Sequence, residues 1–140
     1  MRIHESILIF YDKNVYNPQG LRPYEKLVKD SKLVTTENYG ATKGQQYKQE
    51  YTNYPESVLH FDSANNTIHP TQKPVPLFRY LIKTYSNKGD LILDNCSGSG
   101  TTAIASHDEN RNFICFENDE KMHPKSVKRY NHHISQTKLL

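Results

Sequence analysis

Residues 91–102 read "LILDNCSGSGTT". Three aliphatic residues run into Asp94, and two glycines follow with Ser99 between them. Ala103 stands three positions after Gly100, so the turn has the form Gly98-x-Gly100-x-x-Ala103, that of a dinucleotide-binding turn. "NFICFE", 112–117, reads as another strand ending on an acid. Strand, glycine turn, helix and strand make a βαβ unit. It predicts parallel strands at 90–94 and 112–117, with a helix from Ser99 to about His107 between them. The fold class that follows is α/β, with a partial Rossmann-like sheet.

Working outward, "VPLFRYLIKTY" places Leu77, Phe78, Leu81, Ile82 and Tyr85 on one face of a helix. "SNKG" stops it, with Gly89 expected as its C-terminal cap. A last helical stretch runs toward Ile134, and Pro124 either interrupts it or marks its true start. Near the other end "SILIFY", 6–11, reads as a buried strand. Residues 12–66 are polar and irregular, with Tyr16, Tyr24, Tyr39, Tyr47, Tyr51 and Tyr54 interleaved with basic residues. "SVLHF", 57–61, is a short strand candidate there. Polar loops longer than about 15 residues are uncommon inside a compact domain, and are usually functional or disordered. Three regions result: a sheet strand in 1–16, a polar, loop-rich insertion in 17–66, and a regular α/β region in 67–140.

A chain of 140 residues is the size of one domain. Only 35% of it is hydrophobic and it has no Trp, so its core is modest or completed by something else. A net charge of +3 is compatible with nucleic acid without pointing to it. Cys96 and Cys115 are far apart, and no signal peptide or long apolar run is present, which reads as a cytoplasmic protein with reduced thiols. The histidines do not fall at zinc spacing beside those cysteines, so no metal is expected.

A glycine turn opening a helix offers backbone N–H groups to a ligand. Glu117, 23 residues after Asp94, could accept both hydroxyls of a ribose. An adenosine-containing ligand fits; a structural turn with a surface Glu is the plain alternative. Asp94 weighs on the choice of ligand. A pyrophosphate would meet an anionic side chain at short range. S-adenosylmethionine instead brings a sulfonium and an α-ammonium. Asp94 can equally cap the turn, and the two roles are compatible.

"DNCSGSGTT" resembles the cofactor loop of the amino-group DNA methyltransferases, whose usual form is D-P-F-x-G-S-G-T-T. "HPTQKPVPL", 69–77, resembles their H-P-T-Q-K-P motif. The order of recognition segment, HPTQKP, glycine loop and "FICFEND" is that of the permuted β-type members, phage or prophage in style. The resemblance implies that Asp94, Cys96, Gly98, Gly100, Thr101 and Thr102 line the methionine end of S-adenosylmethionine. It puts His69, Thr71, Gln72, Lys73 and Pro74 beside that end, with Thr71 and Lys73 able to meet the carboxylate. Glu117 would hold the ribose, and residues 17–66 would face double-stranded DNA. Asn95 and Cys96 replace the usual Pro and Phe.

The family's chemistry rests on a D-P-P-Y or S-P-P-Y tetrapeptide that grips a flipped base. Neither occurs in residues 1–140. In the β-type order it precedes the recognition segment, so the resemblance implies an N-terminal half, or a partner subunit, that carries it. Without that half, strand 90–94 is expected to show an unpaired apolar edge. The reading is the C-terminal, cofactor-binding part of a DNA methyltransferase, adenine-N6 ahead of cytosine-N4. Its alternatives are an inactive remnant or non-catalytic binding module, and a nicotinamide-dependent oxidoreductase fragment.

Overall fold

The computed structural model describes residues 5–10, 15–29 and 46–137. The element order is β1 (Arg22–Lys29), β2 (Gln46–Thr52), α1 (Val75–Tyr85), β3 (Leu91–Asp94), α2 (Thr101–Asp108), β4 (Asn112–Cys115) and α3 (Met122–Thr137). The chain divides into two compact units, Met1–Asn17 with His60–Leu140, and Pro18–Leu59.

In the first unit β3 and β4 pair in parallel, from Leu91 opposite Asn112 to Asp94 opposite Cys115. The βαβ expectation holds. The pairing continues past the strands: Phe116 N–H donates to the Asp94 carbonyl at 2.8 Å, and Ser97 N–H to the Phe116 carbonyl at 2.9 Å. This extension brings Glu117 beside the glycine turn. Between the strands, α2 is buried from Thr101 through Ser106. Its small residues permit close packing on several sides at once, so it needs no apolar stripe. The buried apolar core is small, as the composition implies: Ile82, Ala103, Ile104, Ala105 and Met122.

Helix α1 is capped at Ser86 rather than Gly89. The Asn17 amide donates to the Thr84 carbonyl at 2.7 Å. Asn17 Nδ2 and Arg111 Nη2 both donate to the Ser86 carbonyl, at 3.0 and 2.7 Å. Carbonyls without intrahelical partners are thereby satisfied. Gly89, with φ +87°, serves the following turn, where its amide meets the Asn110 carbonyl. Pro124 marks the start of α3, lying in the first turn, where a missing amide removes no helical bond. Asp119 Oδ1 accepts the amides of Lys121 and Met122 just ahead of it.

Three expectations need correction. Residues 6–10 of the expected strand 6–11 form no strand, and residue 11 lies outside the described residues. The only strand bonded to β3 among the described residues is β4, and Ile7, Leu8, Ile9 and Phe10 are exposed. Residues 57–61 form no strand either. Conversely, the insertion is less irregular than its composition suggests. In the second unit β1 and β2 pair antiparallel, Arg22 opposite Thr52 and Lys26 opposite Gln49. The register shifts between Pro23 and Lys26, where Glu25 takes φ +46°. Tyr24 and Tyr51 are exposed on this ribbon. Among its described residues the side chains are exposed or partly so, which imposes no apolar alternation and removes the usual strand signal.

One face of the β3–β4 pair is uncovered. Leu91 is 60% exposed and Leu93 66%, with Ile114 and Phe116 exposed beside them. Ile92 and Phe113, one residue out of phase, are partly buried. The edge of β3 opposite β4 has no strand among the described residues.

Candidate functional site

The turn after β3 is held by two acids. Asp94 Oδ1 accepts the Cys96 amide at 3.1 Å, and its Oδ2 accepts the Thr102 hydroxyl. Asp94 thus acts as a cap. Glu117 Oε2 accepts the Gly98 amide at 2.7 Å, and Oε1 accepts the Asp119 amide at 2.8 Å. A carboxylate oxygen has two lone pairs, so each acid keeps acceptor capacity for a ligand. Gly98 and Gly100 have φ +50° and +74°, the left-handed region that a side chain disfavours. A Cβ on Gly100 would also lie 3.3 Å from the Cβ of Ser126 on α3.

The segment 69–74 closes on itself. Thr71 donates its amide to His69 Nδ1 at 3.2 Å, and its hydroxyl lies 3.0 Å from the same nitrogen. Gln72 Oε1 accepts the Ile68 amide at 3.2 Å. Lys73 Nζ reaches Glu5 at 2.6 and 2.7 Å, an exposed ion pair. The Lys73 carbonyl accepts the Thr101 hydroxyl at 3.2 Å, which ties this segment to the start of α2.

Behind the turn stands Arg129 of α3. Its Nη1 donates to the Ser99 carbonyl at 2.8 Å and to Thr101 Oγ1 at 3.1 Å, and lies 3.4 Å from Ser99 Oγ. Burial lowers its pKa, although a guanidinium keeps its proton in proteins. Cys115, under the turn, has its thiol pushed up to about 11 by burial and, secondarily, by Asp94. Cys96 is exposed.

Loop, segment and helix face enclose one cavity of about 720 Å³. Of the residues singled out in the sequence, His69, Thr71, Gln72, Lys73, Asp94, Cys96, Gly98, Thr101, Thr102 and Glu117 line it. Pro74 and Gly100 do not: Pro74 is the N-cap of α1, and Gly100 backs onto Ser126. The other wall was not anticipated as a site. It contains Phe78, Leu81, Ile82 and Tyr85 of α1, with Ile92, Leu93 and Ile9. The i, i+3, i+4 spacing on α1 was legible, but it equally describes a core face. The cavity volume lies in the range of small-molecule sites, which run from about 300 to 1,000 Å³. Its lining combines the carboxylates of Asp94 and Glu117 and the Lys73 ammonium with apolar side chains of α1 and β3.

Residues 1–128 match the family model described as DNA methylase. The type II methyltransferase M2.MboI of Moraxella bovis is 47% identical over 62 residues, 44% of this chain and 23% of that protein. M.BglI of Bacillus subtilis is 46% identical over 56 residues, 40% of this chain and 16% of that protein. The matches thus span under a quarter of these relatives' length. Among solved structures, the PvuII DNA methyltransferase (cytosine-N4-specific) aligns with a TM-score of 0.51 at 25% identity, covering 54% of this chain and 32% of that one. An M1.HpyAVI–SAM complex aligns with a TM-score of 0.47 at 28% identity, over 61% of this chain and 52% of that one.

Proposed function

The chain belongs to the DNA methylase family, and from that premise we propose that its cavity is the S-adenosylmethionine site of a site-specific DNA amino-methyltransferase. The target is the N6 amino group of adenine, with cytosine N4 as the alternative. Membership removes the nicotinamide reading. The observation that carries the proposal is the pair of acids, Asp94 and Glu117, on one glycine turn in one cavity. A pyrophosphate placed there meets negative charge, whereas a sulfonium and an α-ammonium are attracted by it.

Each residue then has a task. Asp94 faces the cationic end of the ligand, and its bonds to Cys96 and Thr102 hold its carboxylate in one orientation. Glu117 accepts ribose hydroxyls with its remaining lone pairs. The Gly98 turn lets the ligand approach the main chain, and Phe78, Leu81 and Ile82 supply an apolar wall for the adenine. When bound, the cofactor supplies an electrophilic methyl group. Thr71 and Lys73 line the cavity, and Lys73 reaches the ligand carboxylate by exchanging Glu5 for it.

Two partners belong to the same proposal. The first is double-stranded DNA, met by the Pro18–Leu59 unit. There Lys26 lies over the Tyr24 ring at 5.2 Å, and Tyr24 and Tyr51 are exposed. Tyrosines stack on bases and lysines neutralise phosphates. The second is a polypeptide half or subunit that carries the base-gripping tetrapeptide.

Titration calorimetry with S-adenosylmethionine, S-adenosylhomocysteine and NADH tests the cofactor assignment. Binding of the first two with no heat from NADH is expected. NADH binding alone would overturn it, and so would S-adenosylmethionine affinity unchanged in Asp94→Asn.

A further inference from the structure

Arg129 sits outside the cavity, yet it touches both residues that turn the glycine loop into α2. A single nitrogen, Nη1, reaches the Ser99 carbonyl and Thr101 Oγ1. Ser99 and Thr101 are buried, so in the intact chain these bonds are made away from bulk water. The Thr101 hydroxyl, in turn, has one proton, which it gives to the Lys73 carbonyl. Its lone pairs are left to accept from Arg129. The bonds therefore run in one direction: Arg129 to Thr101, and Thr101 to the main chain of the 69–74 segment.

That segment has no strand or helix of its own. It is held by short local bonds around His69 and Gln72 and, on the loop side, by the Lys73 carbonyl. Ser126, one helical turn before Arg129, touches the position where Gly100 would carry a Cβ. The contact shows how closely α3 is laid against the back of the loop. Nη1 carries two N–H bonds, one for each of these oxygens, and the planar guanidinium fixes their directions, whereas an ammonium is a hydrated point charge on a flexible stem.

We propose that Arg129 is a positioning residue for the cofactor site, holding segment 69–74 in register with the glycine loop through Thr101. It makes no contact with the ligand. The inference rests on the S-adenosylmethionine reading and adds to it that the polar end of the cavity is set from behind by α3. Loss of Arg129 then loosens the wall at Thr71 and Lys73, while Glu117 and the apolar wall of α1 keep their own anchors.

The test is titration of the full chain with two ligands, S-adenosylmethionine and 5′-methylthioadenosine, which lacks the amino-acid end. In Arg129→Ala, affinity for S-adenosylmethionine is expected to fall on the order of tenfold, the effect of one or two lost hydrogen bonds. Affinity for methylthioadenosine is expected to change less than about threefold on the same scale. Thr101→Val should reproduce this selective loss, and Arg129→Lys should recover only part of it. Equal losses for both ligands would make Arg129 a plain structural residue and overturn the proposal, as would no loss for either. Should Arg129→Ala fail to fold, Thr101→Val and Arg129→Lys give the same two-ligand comparison. If the unmodified chain binds neither ligand, the cofactor reading itself falls, which is a different outcome from loss of selectivity.

Discussion

The Glu117 carboxylate accepts the Gly98 amide at 2.7 Å, joining the end of the β4 extension to the middle of the glycine turn. The same side chain holds the Asp119 amide through its other oxygen. Glu117 is therefore a clasp on the turn as well as the residue proposed to hold the ribose. Glu117→Ala removes both functions, whereas Glu117→Gln keeps one acceptor oxygen for the Gly98 amide. Cofactor affinity is expected to fall by about 1–3 kcal/mol in the alanine variant and by less in the glutamine variant. Calorimetry on the three proteins measures this. Equal affinity in all of them would make the acid a surface residue.

The two turn glycines should differ in their tolerance of alanine. Gly98 has open space where a Cβ would go, so Gly98→Ala meets only the left-handed backbone cost of about 1–2 kcal/mol. Gly100→Ala adds a 3.3 Å contact with the Ser126 Cβ. Overpacking of that kind costs about 1–3 kcal/mol more. Urea unfolding should rank Gly100→Ala as clearly the less stable. Equal stabilities would mean that α3 yields easily.

The parts legible in the sequence are those where a local pattern and the tertiary packing agree. The β3–α2–β4 unit carries its glycine turn and its acids in sequence order, and the structure builds it as read. Segment 6–10 misled because an apolar, β-branched run reads as a buried strand only when a neighbouring strand accepts its bonds. The β1–β2 ribbon was hidden for the opposite reason. Glu25, Lys26, Lys48, Gln49 and Glu50 fill strand positions that no core selects against. The apolar wall of the cavity was visible as a helical face, but nothing in the period distinguishes a face that packs from one that lines a site. Arg129 left no signal, since its partners are a main-chain carbonyl 30 residues away and a hydroxyl 28 residues away.

The two cysteines should react very differently. Cys96 is exposed, while the Cys115 thiol is pushed up to about 11, mainly by burial. The thiolate is the reactive form, so iodoacetamide at pH 8 should label Cys96 and spare Cys115. Since the folded state holds the Cys115 proton more tightly than the unfolded chain does, this thiol favours folding below the unfolded value of about 8.5. That contribution is lost as pH rises through about 11. Mass spectrometry of labelled peptides across pH 7–10 reads the difference. Equal labelling at pH 8 would show that Cys115 is not shielded.

The uncovered sheet face makes a prediction that separates folding from assembly. Leu91 is 60% exposed, so Leu91→Lys should change the stability of the chain by less than about 0.5 kcal/mol. The same charge would be buried if a second polypeptide covered Leu91, Leu93, Ile114 and Phe116. Association with a half carrying the base-gripping tetrapeptide should then weaken at least tenfold, about 1.4 kcal/mol. Analytical ultracentrifugation of the pair measures it. Unchanged association would place the partner on another face.

Methyl transfer requires the target amino group to be held in line with the sulfonium at near-attack distance. The cavity offers residues to hold a cofactor, but the chain has no D-P-P-Y or S-P-P-Y tetrapeptide to grip a flipped base. Binding a cofactor without gripping the base gives little differential stabilisation of the transition state. The isolated chain is therefore expected to transfer no methyl group to duplex DNA above background. Adding a half that carries the tetrapeptide, fused ahead of Met1 or supplied separately, should restore transfer, and Leu91→Lys should reduce the restored rate when the halves are separate. Covalent fusion raises the effective concentration of the two parts, so the fused protein should resist the Leu91→Lys effect better than the separate pair. Incorporation of tritiated methyl into DNA distinguishes these cases. Robust transfer by the chain alone would mean that the base is gripped by residues already present in it, with the exposed tyrosines of the β1–β2 ribbon as the first place to look.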